Sequence, residues 1–282
     1  MKMHRLFWLA GGVLLGTRLS ARWRKSDQTD RMDREADIQR QIAMLQAEHE
    51  KQDRMRQEFT ANVSHELKTP LTSISGYAEI IREGLVRSED VGRFAGKIYE
   101  EAQRLITLVE DILNLSSLDE GAPAQAERER VDLYELCRET IASLSPTARQ
   151  REISFDLTGG HLYVDGVRKI LGEIVYNLFD NAIKYNEEGG SVSVAVAREG
   201  DRVVLSVRDT GIGIPAGETD RVFERFYRVD KSHSKEIGGT GLGLSIVKHA
   251  AAYHDAFVRL DSQLGKGTTV RVLFHPAGEE ET

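Results

Sequence analysis

Between Phe59 and Leu115 the apolar residues recur every three or four positions in two successive runs, and nothing else in the chain limits its fold so strongly. The first run is Phe59, Val63, Leu67, Leu71, Ile74, Ala78, Ile81 and Leu85; the second carries Phe94, Ile98, Leu105, Leu108, Ile112 and Leu115. This is the period of a helix with one apolar stripe. Gly84 and the segment VRSED separate the runs, with Ser88 placed to cap the returning helix, so the pattern predicts an antiparallel helical hairpin over residues 59–120. A hairpin with a single apolar face is too thin to bury it. Pairing with a second copy into a four-helix bundle is the expected remedy.

Upstream, residues 26–58 are almost wholly polar. Even so, Ile38, Ile42, Leu45, His49, Gln52, Arg56, Phe59 and Val63 alternate by four and three, a heptad seam with a polar middle. The segment reads as a signalling helix or as an exposed linker helix. Residues 1–25 differ again: Leu6 to Thr17, LFWLAGGVLLGT, carries no charge and is flanked by Lys2 and Arg5 before it and Arg18, Arg22, Arg24 and Lys25 after it. As a helix it reaches about 18 Å, short of a bilayer core of about 30 Å. Three readings stay open: a shortened membrane anchor with interfacial Trp8 and Trp23, a signal-peptide core without a clear cleavage site, or a helix that packs elsewhere. We expect membrane association through this end with the remaining domains cytoplasmic, the alternative being a wholly cytoplasmic chain. With no second apolar run, a folded extracellular domain between two spans is not expected.

The stretch DEGAPAQAERER, Asp119 to Arg130, breaks the helical period with Gly, Pro and small residues and marks a domain boundary. Beyond it, over 131–276, helices are expected at about Asp132 to Gln150, Asp165 to Tyr185 and Gly241 to Tyr253. They alternate with period-two strands in REISFDL, SVSVAVA, DRVVLSVRD, AFVRLDS and TTVRVLF. Such an order predicts an α+β sandwich, one helical layer on a mixed sheet. At 282 residues, 40% hydrophobic and 29% charged, the chain can build both this core and the hairpin. A net charge of −7, with no Lys/Arg block beyond the first turns of the chain, argues against a nucleic-acid partner. The one cysteine, Cys137, excludes an internal disulfide and a cysteine-rich zinc site; its apolar-periodic setting, VDLYELCRETIASL, predicts a core thiol.

Set into the first helix is FTANVSHELKTPLTS, Phe59 to Ser73. His65 lies about 200° around the helix from both Val63 and Leu67, so it faces water while they face the seam. Thr69 falls within about 40° of it on the exposed face, with Glu66 alongside. Pro70 removes one helical hydrogen bond and is expected to bend the helix just past the histidine. A neutral imidazole offers one nitrogen lone pair for attack on phosphorus, and a neighbouring carboxylate can hold the other N–H; Glu66 is the candidate. An exposed histidine means little alone, and His4, His49, His161, His233, His249, His254 and His275 receive no role. Its company is what counts.

That company is four further segments. NLFDNAIKY places Asn177 and Asn181 four residues apart with Lys184 a turn further on, so two amides and a cation face one point; amide oxygens suit Mg²⁺ and lysine suits phosphate. DTGIGIP ends a strand with Asp209, able to accept from an exocyclic amine, then supplies Gly211 and Gly213 for close backbone approach. FERFYRVD combines aromatics with Arg225 and Arg228 and by itself reads as packing. GGTGLGLSIVKH opens a helix with Gly238, Gly239, Gly241 and Gly243, whose amides form an anion site that matches neither the Rossmann nor the P-loop pattern.

In order and spacing these segments resemble the H, N, G1, F and G2 boxes of the bacterial sensor histidine kinases of two-component signalling, over roughly Phe59 to Phe274. The resemblance implies a HisKA dimerisation domain followed by a GHKL-type, Bergerat-fold ATP-binding domain. It implies His65 as phosphoacceptor, Glu66 as the activating acid and Thr69 as the residue that aids phosphate removal from the regulator. Asn177 would bind Mg²⁺, Asn181 and Lys184 the phosphates of ATP, and Asp209 the adenine amine. Gly239, Gly241 and Gly243 would serve the lid and phosphates, with Arg228 a further phosphate ligand. The implied activity is ATP-dependent autophosphorylation in a homodimer, transfer to an aspartate of a response regulator, and dephosphorylation of that regulator. Two departures stand out. About 58 residues precede the H box where relatives carry sensing domains, and Asp255 and Ala256 replace a frequent Gly pair, a turn difference expected to be tolerated. Two rivals remain: an ATPase of the same nucleotide fold that uses ATP as a conformational clamp, and a non-enzymatic dimer that titrates a regulator.

Overall fold

Helical spacing is realised in one helix, α1, from His4 to Arg82, which continues through Pro70. The computed structural model describes residues 4–119, 127–229 and 239–278, the side chains of 4–38, 51 and 52 excepted. The apolar run Leu6 to Thr17, with Trp8 and Trp23, and the seam residues Ile38 and Gln52 therefore fall outside the described side chains. No helix among the described residues is long and apolar enough to cross a membrane.

Two units are distinguished, Met1–Val63 and Ser64–Thr282. In the first, most described side chains of α1 stand in solvent: Ile42 and Leu45 of the apolar pattern are exposed, as is Met55 beside it, while Phe59 and Val63 are half-buried. At helical spacing His49 lies 3.6 Å from Asp53 and Arg54 forms an ion pair with Glu50 at 3.9 Å, an exposed contact that contributes a few tenths of a kcal/mol at most, roughly.

In the second unit the last turns of α1 lead through a short connection into α2, Val91–Asp119, completing the hairpin. Gly84 closes α1 with φ +68°, its N–H bonded to Ile81 O and that of Leu85 to Ile80 O. The expected cap at Ser88 is corrected: Phe94 N–H donates to Asp90 O, so Asp90 holds the N-cap position and Ser88 lies in the turn before it. Tyr77 and Phe94 pack with ring centroids 5.7 Å apart and tie the two helices. A single copy leaves much of the hairpin's apolar surface bare, with Leu71, Tyr99, Ile106 and Leu113 exposed.

The sheet follows from its alternation. Strands β2 (Ser154–Gly159), β4 (Ser191–Glu199), β5 (Arg202–Asp209), β6 (Phe257–Gln263) and β7 (Gly267–Phe274) form five strands in the order β2-β4-β5-β7-β6. The β2–β4 pair is parallel and the other pairs antiparallel, a mixed sheet as expected. Val192, Val194 and Val196 pair in register with Asp209, Val207 and Leu205 and point into the core. Helices α3 (Leu133–Gln150), α4 (Arg168–Lys184) and α5 (Gly243–Tyr253) cover that face, and α2 packs along α5. Asp132 caps α3 by accepting from Tyr134 N–H (3.0 Å) and Glu135 N–H (3.2 Å), worth about 1 kcal/mol. Cys137 is fully buried in α3, and burial pushes its thiol up to about 12.

Two short strands escaped the sequence pattern. Glu129–Asp132 (β1) and Tyr163–Gly166 (β3) form a separate antiparallel pair, so Asp165 and Gly166, expected in a helix, are strand residues and α4 starts at Arg168. A buried histidine fixes the switch. His254 Nε2 accepts Val167 N–H at 3.1 Å and its Nδ1–H donates to Ala250 O at 2.8 Å, while a side chain at Gly166 would strike its ring. Asp255 then ends α5 in the left-handed region, φ +53°, with Ala256 N–H bonded to Ala251 O; a short acidic side chain tolerates this where a β-branched one would not.

Burial lowers the pKa of His254 by disfavouring the charged ring, and the bond from Nδ1–H to Ala250 O opposes that fall. The stabilisation is complete above the ordinary imidazole value of 6.5 and is lost as pH falls through the lowered folded value. The unfolding midpoint should therefore drop on acidification. His254→Gln should cost roughly 1–3 kcal/mol at neutral pH and flatten that dependence, as read by thermal unfolding across pH.

Candidate functional site

Helix α4 must bury Leu171, Ile174 and Leu178 against the sheet, and this rotates Asn177, Asn181 and Lys184 toward a cavity of about 490 Å³. The end of β5 and its following loop, the start of α5, the segment Tyr227–Val229 and one edge of α2 form the other walls. This size suits a nucleotide-scale ligand.

The amides define its floor. Asn177 Nδ2 donates to Glu173 O at 2.8 Å, which leaves Oδ1 as the outward acceptor. Asn181 Nδ2 is buried without a hydrogen-bond partner, and an unmade buried donor costs about 1–3 kcal/mol. A side chain at Gly243 would lie 2.9 Å from Asn177 Oδ1 and 3.2 Å from Asn181 Nδ2. Glycine lets α5 begin this close without displacing either amide. Lys184 Nζ meets Asp180 Oδ2 at 2.6 Å, one turn back on α4.

Asp209 closes the opposite end. Its Oδ1 accepts two backbone N–H groups, Gly211 at 2.9 Å and Thr268 at 3.1 Å, leaving Oδ2 for an incoming donor. Burial raises its carboxyl above the ordinary value, and the two backbone bonds oppose that rise. A side chain at Gly211 would run into Tyr185 O, and one at Gly213, φ +66°, into Gln263 O, so both glycines serve close backbone approach.

Phe226 N–H donates to Gly241 O at 2.8 Å, lacing the aromatic segment to the glycine-rich one. Phe226 takes a left-handed backbone, φ +62°, costly for so bulky a residue. Gly239 lies against Tyr185 Oη; Gly238 is outside the described residues.

Asn177, Asn181, Lys184, Asp209, Gly213, Arg228, Gly239, Gly241 and Gly243 thus line one cavity, with Gly211 just behind it. His65, Glu66 and Thr69 do not line it. His65 and Thr69 are exposed on α1, as their helical angle predicts, and Thr69 Oγ1 donates to His65 O at 3.2 Å. Their link to the cavity is Arg228, only 7% exposed, whose guanidinium donates to Glu66 Oε2 at 3.2 Å.

Several residues of the site carry no sequence mark. Asp111 on α2 accepts from Thr240 Oγ1 at 2.7 Å at the cavity wall, and burial pushes its carboxyl up. Arg225, read as packing, instead pairs with Asp119 at the end of α2 (2.7 Å), where His249 Nδ1 also approaches at 3.3 Å. Thr240 could have been found from its place between the glycines; Asp111 could not.

No group of three or more His, Cys, Asp or Glu able to hold a metal occurs among the described residues. The free Asn177 amide oxygen is a hard donor, so the residues fit Mg²⁺ as a companion of a bound polyphosphate rather than as a protein-caged ion.

Residues 55–121 match the His Kinase A (phospho-acceptor) domain, and residues 166–278 match the histidine kinase-, DNA gyrase B- and HSP90-like ATPase family. Over 238 residues, 83% of the chain, the sequence is 40% identical to the sensor histidine kinase WalK of Bacillus subtilis, covering 39% of that protein. Over 225 residues, 79% of the chain, it is 40% identical to the sensor-like histidine kinase SenX3 of Mycolicibacterium smegmatis, covering 58% of it. The chain therefore spans less than two thirds of the length of either relative. Among solved structures, histidine kinase ThkA in complex with response regulator protein TrrA aligns with a TM-score of 0.63 at 25% identity, over 80% of this chain and 63% of that one.

The orphaned donor generates a prediction. Asn181→Leu should stabilise the ligand-free chain by roughly 1 kcal/mol while removing the stabilisation that added Mg-ATP gives the wild type, both read by thermal unfolding.

Proposed function

Because the chain belongs to the sensor histidine kinases of two-component signalling, we propose that it transfers the γ-phosphoryl group of ATP to His65 and passes it on to a response-regulator aspartate. One observation carries this reading: the cavity-wall guanidinium of Arg228 is bonded to Glu66, the immediate neighbour of the exposed His65.

In this reading Asp209 Oδ2 accepts a hydrogen bond from the adenine amine, while Gly211 and Gly213 let the loop close over the base. Asn181 Nδ2, Lys184, Arg228 and the amides around Gly239, Gly241 and Gly243 take the phosphates. Asn177 Oδ1 would help to hold Mg²⁺, which would supply charge neutralisation to the phosphates. A ring nitrogen of His65 forms its bond to γ-phosphorus as the bond from phosphorus to the ADP oxygen breaks. Glu66 holds the N–H of the other ring nitrogen and offsets the positive charge that develops there.

Two contacts must be exchanged for this to happen. Glu66 holds Arg228, and Asp111 holds Thr240, so carboxylates of the hairpin occupy groups that would otherwise meet phosphate. Nucleotide binding and release of the hairpin are thereby coupled.

Residues 59–120 would form the dimerisation and phosphotransfer domain, with Tyr99, Ile106 and Leu113 covered by a second copy in a four-helix bundle. Residues 131–276 would bind nucleotide, 26–58 would relay a signal, and 1–25 would associate with a membrane that leaves the catalytic domains in the cytoplasm. The exposed face of α1 around Thr69 would receive the regulator, a partner class supported by the ThkA–TrrA complex.

Incubation with γ-labelled ATP tests the reading. The wild type should acquire acid-labile, base-stable label that His65→Gln lacks; ATP hydrolysis without protein label would favour the clamp ATPase instead. Asp209→Asn should weaken ATP binding about tenfold or more. Thr69→Ala should spare autophosphorylation and slow dephosphorylation of the regulator, and equal loss of both activities would contradict the role given to it.

A further inference from the structure

Helix α4 ends unlike the helices around it. The carbonyls of a helix's last turn lack intrahelical donors, and a left-handed residue commonly closes the turn so that backbone N–H groups reach them. Gly84 after α1, Glu152 after α3 and Asp255 after α5 take that conformation, with φ +68°, +55° and +53°. Tyr185, which follows α4, has φ −99°, and no residue from Tyr185 to Glu188 takes a positive φ. The donors come from a side chain outside the helix. Arg151, the residue after α3, directs Nη1 to Ile183 O at 2.6 Å and to Lys184 O at 2.7 Å, and Nη2 to Asn186 O at 3.1 Å. One planar guanidinium thus fixes carbonyls on both sides of Tyr185.

That turn carries part of the site. Lys184 and Tyr185 line the cavity, whereas Arg151 stands behind the wall and does not line it. A lysine side chain is flexible, so the space that its ammonium can reach is set by its Cα, and fraying of the last turn would move that Cα. Tyr185 continues the same wall. Its hydroxyl lies against Gly239, and its carbonyl accepts Ile212 N–H at 3.0 Å.

We infer that Arg151 is a positioning residue for phosphate binding, acting through Lys184 by holding the last turn of α4 in place. The inference rests on the nucleotide reading of this cavity and extends it to a residue that touches no ligand. A cap that served stability alone would change the unfolding midpoint and leave the affinity of the folded chain untouched. A positioning role changes that affinity, and does so only while the lysine is present to be positioned.

Titration of the full chain with Mg-ATP, read by displacement of a fluorescent ATP analogue at a temperature where each variant is fully folded, separates these cases. Arg151→Met should weaken ATP about tenfold. Arg151→Lys, which keeps a donor but not the fork, should recover part of this and weaken ATP about threefold. In a Lys184→Ala background Arg151→Met should add less than about a twofold further loss, because its effect passes through that lysine. A lowered unfolding midpoint with unchanged affinity would overturn the inference, and so would a loss that persists undiminished in the Lys184→Ala background. Should Arg151→Met fail to fold, Arg151→Lys with and without Lys184→Ala decides by the same comparison. A wild type that does not bind ATP would overturn the nucleotide reading itself, and this inference with it.

Discussion

The approach of α5 onto α4 is the constraint on which the rest depends. Helix α4 is apolar where it meets the sheet and carries two amides where it faces α5, and residue 243, having no side chain, lets α5 start against those amides without displacing them. Any Cβ there would press on Asn177 Oδ1 and Asn181 Nδ2 at about van der Waals contact or closer. The same approach buries the Asn181 donor without a partner, a local cost that a ligand can repay. Stability is given up at the point where the proposed nucleotide would bind.

From that floor the cavity is closed by contacts between elements far apart in sequence. The loop after β5 lies on the turn between β6 and β7, the aromatic segment is laced to the glycine-rich one through Phe226 and Gly241, and α2 supplies Asp111 to Thr240. Arg228, Thr240 and Arg225 each end on a carboxylate of the hairpin: Glu66, Asp111 and Asp119. Three polar contacts of this kind are individually modest. Together they make a docked arrangement that anionic ligands can compete for, since two of the three groups also face the cavity.

Much of this was legible because it is local. Period-four-and-three apolar spacing in 59–115 and period-two valines in 191–207 require only neighbours in the chain, and both elements form where the pattern places them. The outward angle of His65 followed from helical geometry alone, and its exposure agrees. The glycines of the site were legible as a class, yet their reasons differ: Gly213 and Gly241 hold positive φ as well as lying against a neighbouring backbone, whereas Gly211 and Gly243 only yield space to a neighbouring backbone or amide. What escaped was non-local. The β1–β3 pair is too short to show a period, and its end is decided by His254, some ninety positions on from the residues it holds. Asp111 looks like any acidic residue on a polar helix face until Thr240 is brought to it.

The account stands on phosphoryl transfer from a nucleotide held by α4 and Asp209 to the imidazole of His65. Phosphorus NMR of the intact chain mixed with Mg-ATP observes that bond directly. The account predicts a protein-bound phosphoramidate resonance that appears as ADP accumulates and is located on His65 by peptide mapping. ADP and free phosphate appearing with no protein-bound phosphorus, or a phosphoramidate on another histidine, would contradict it.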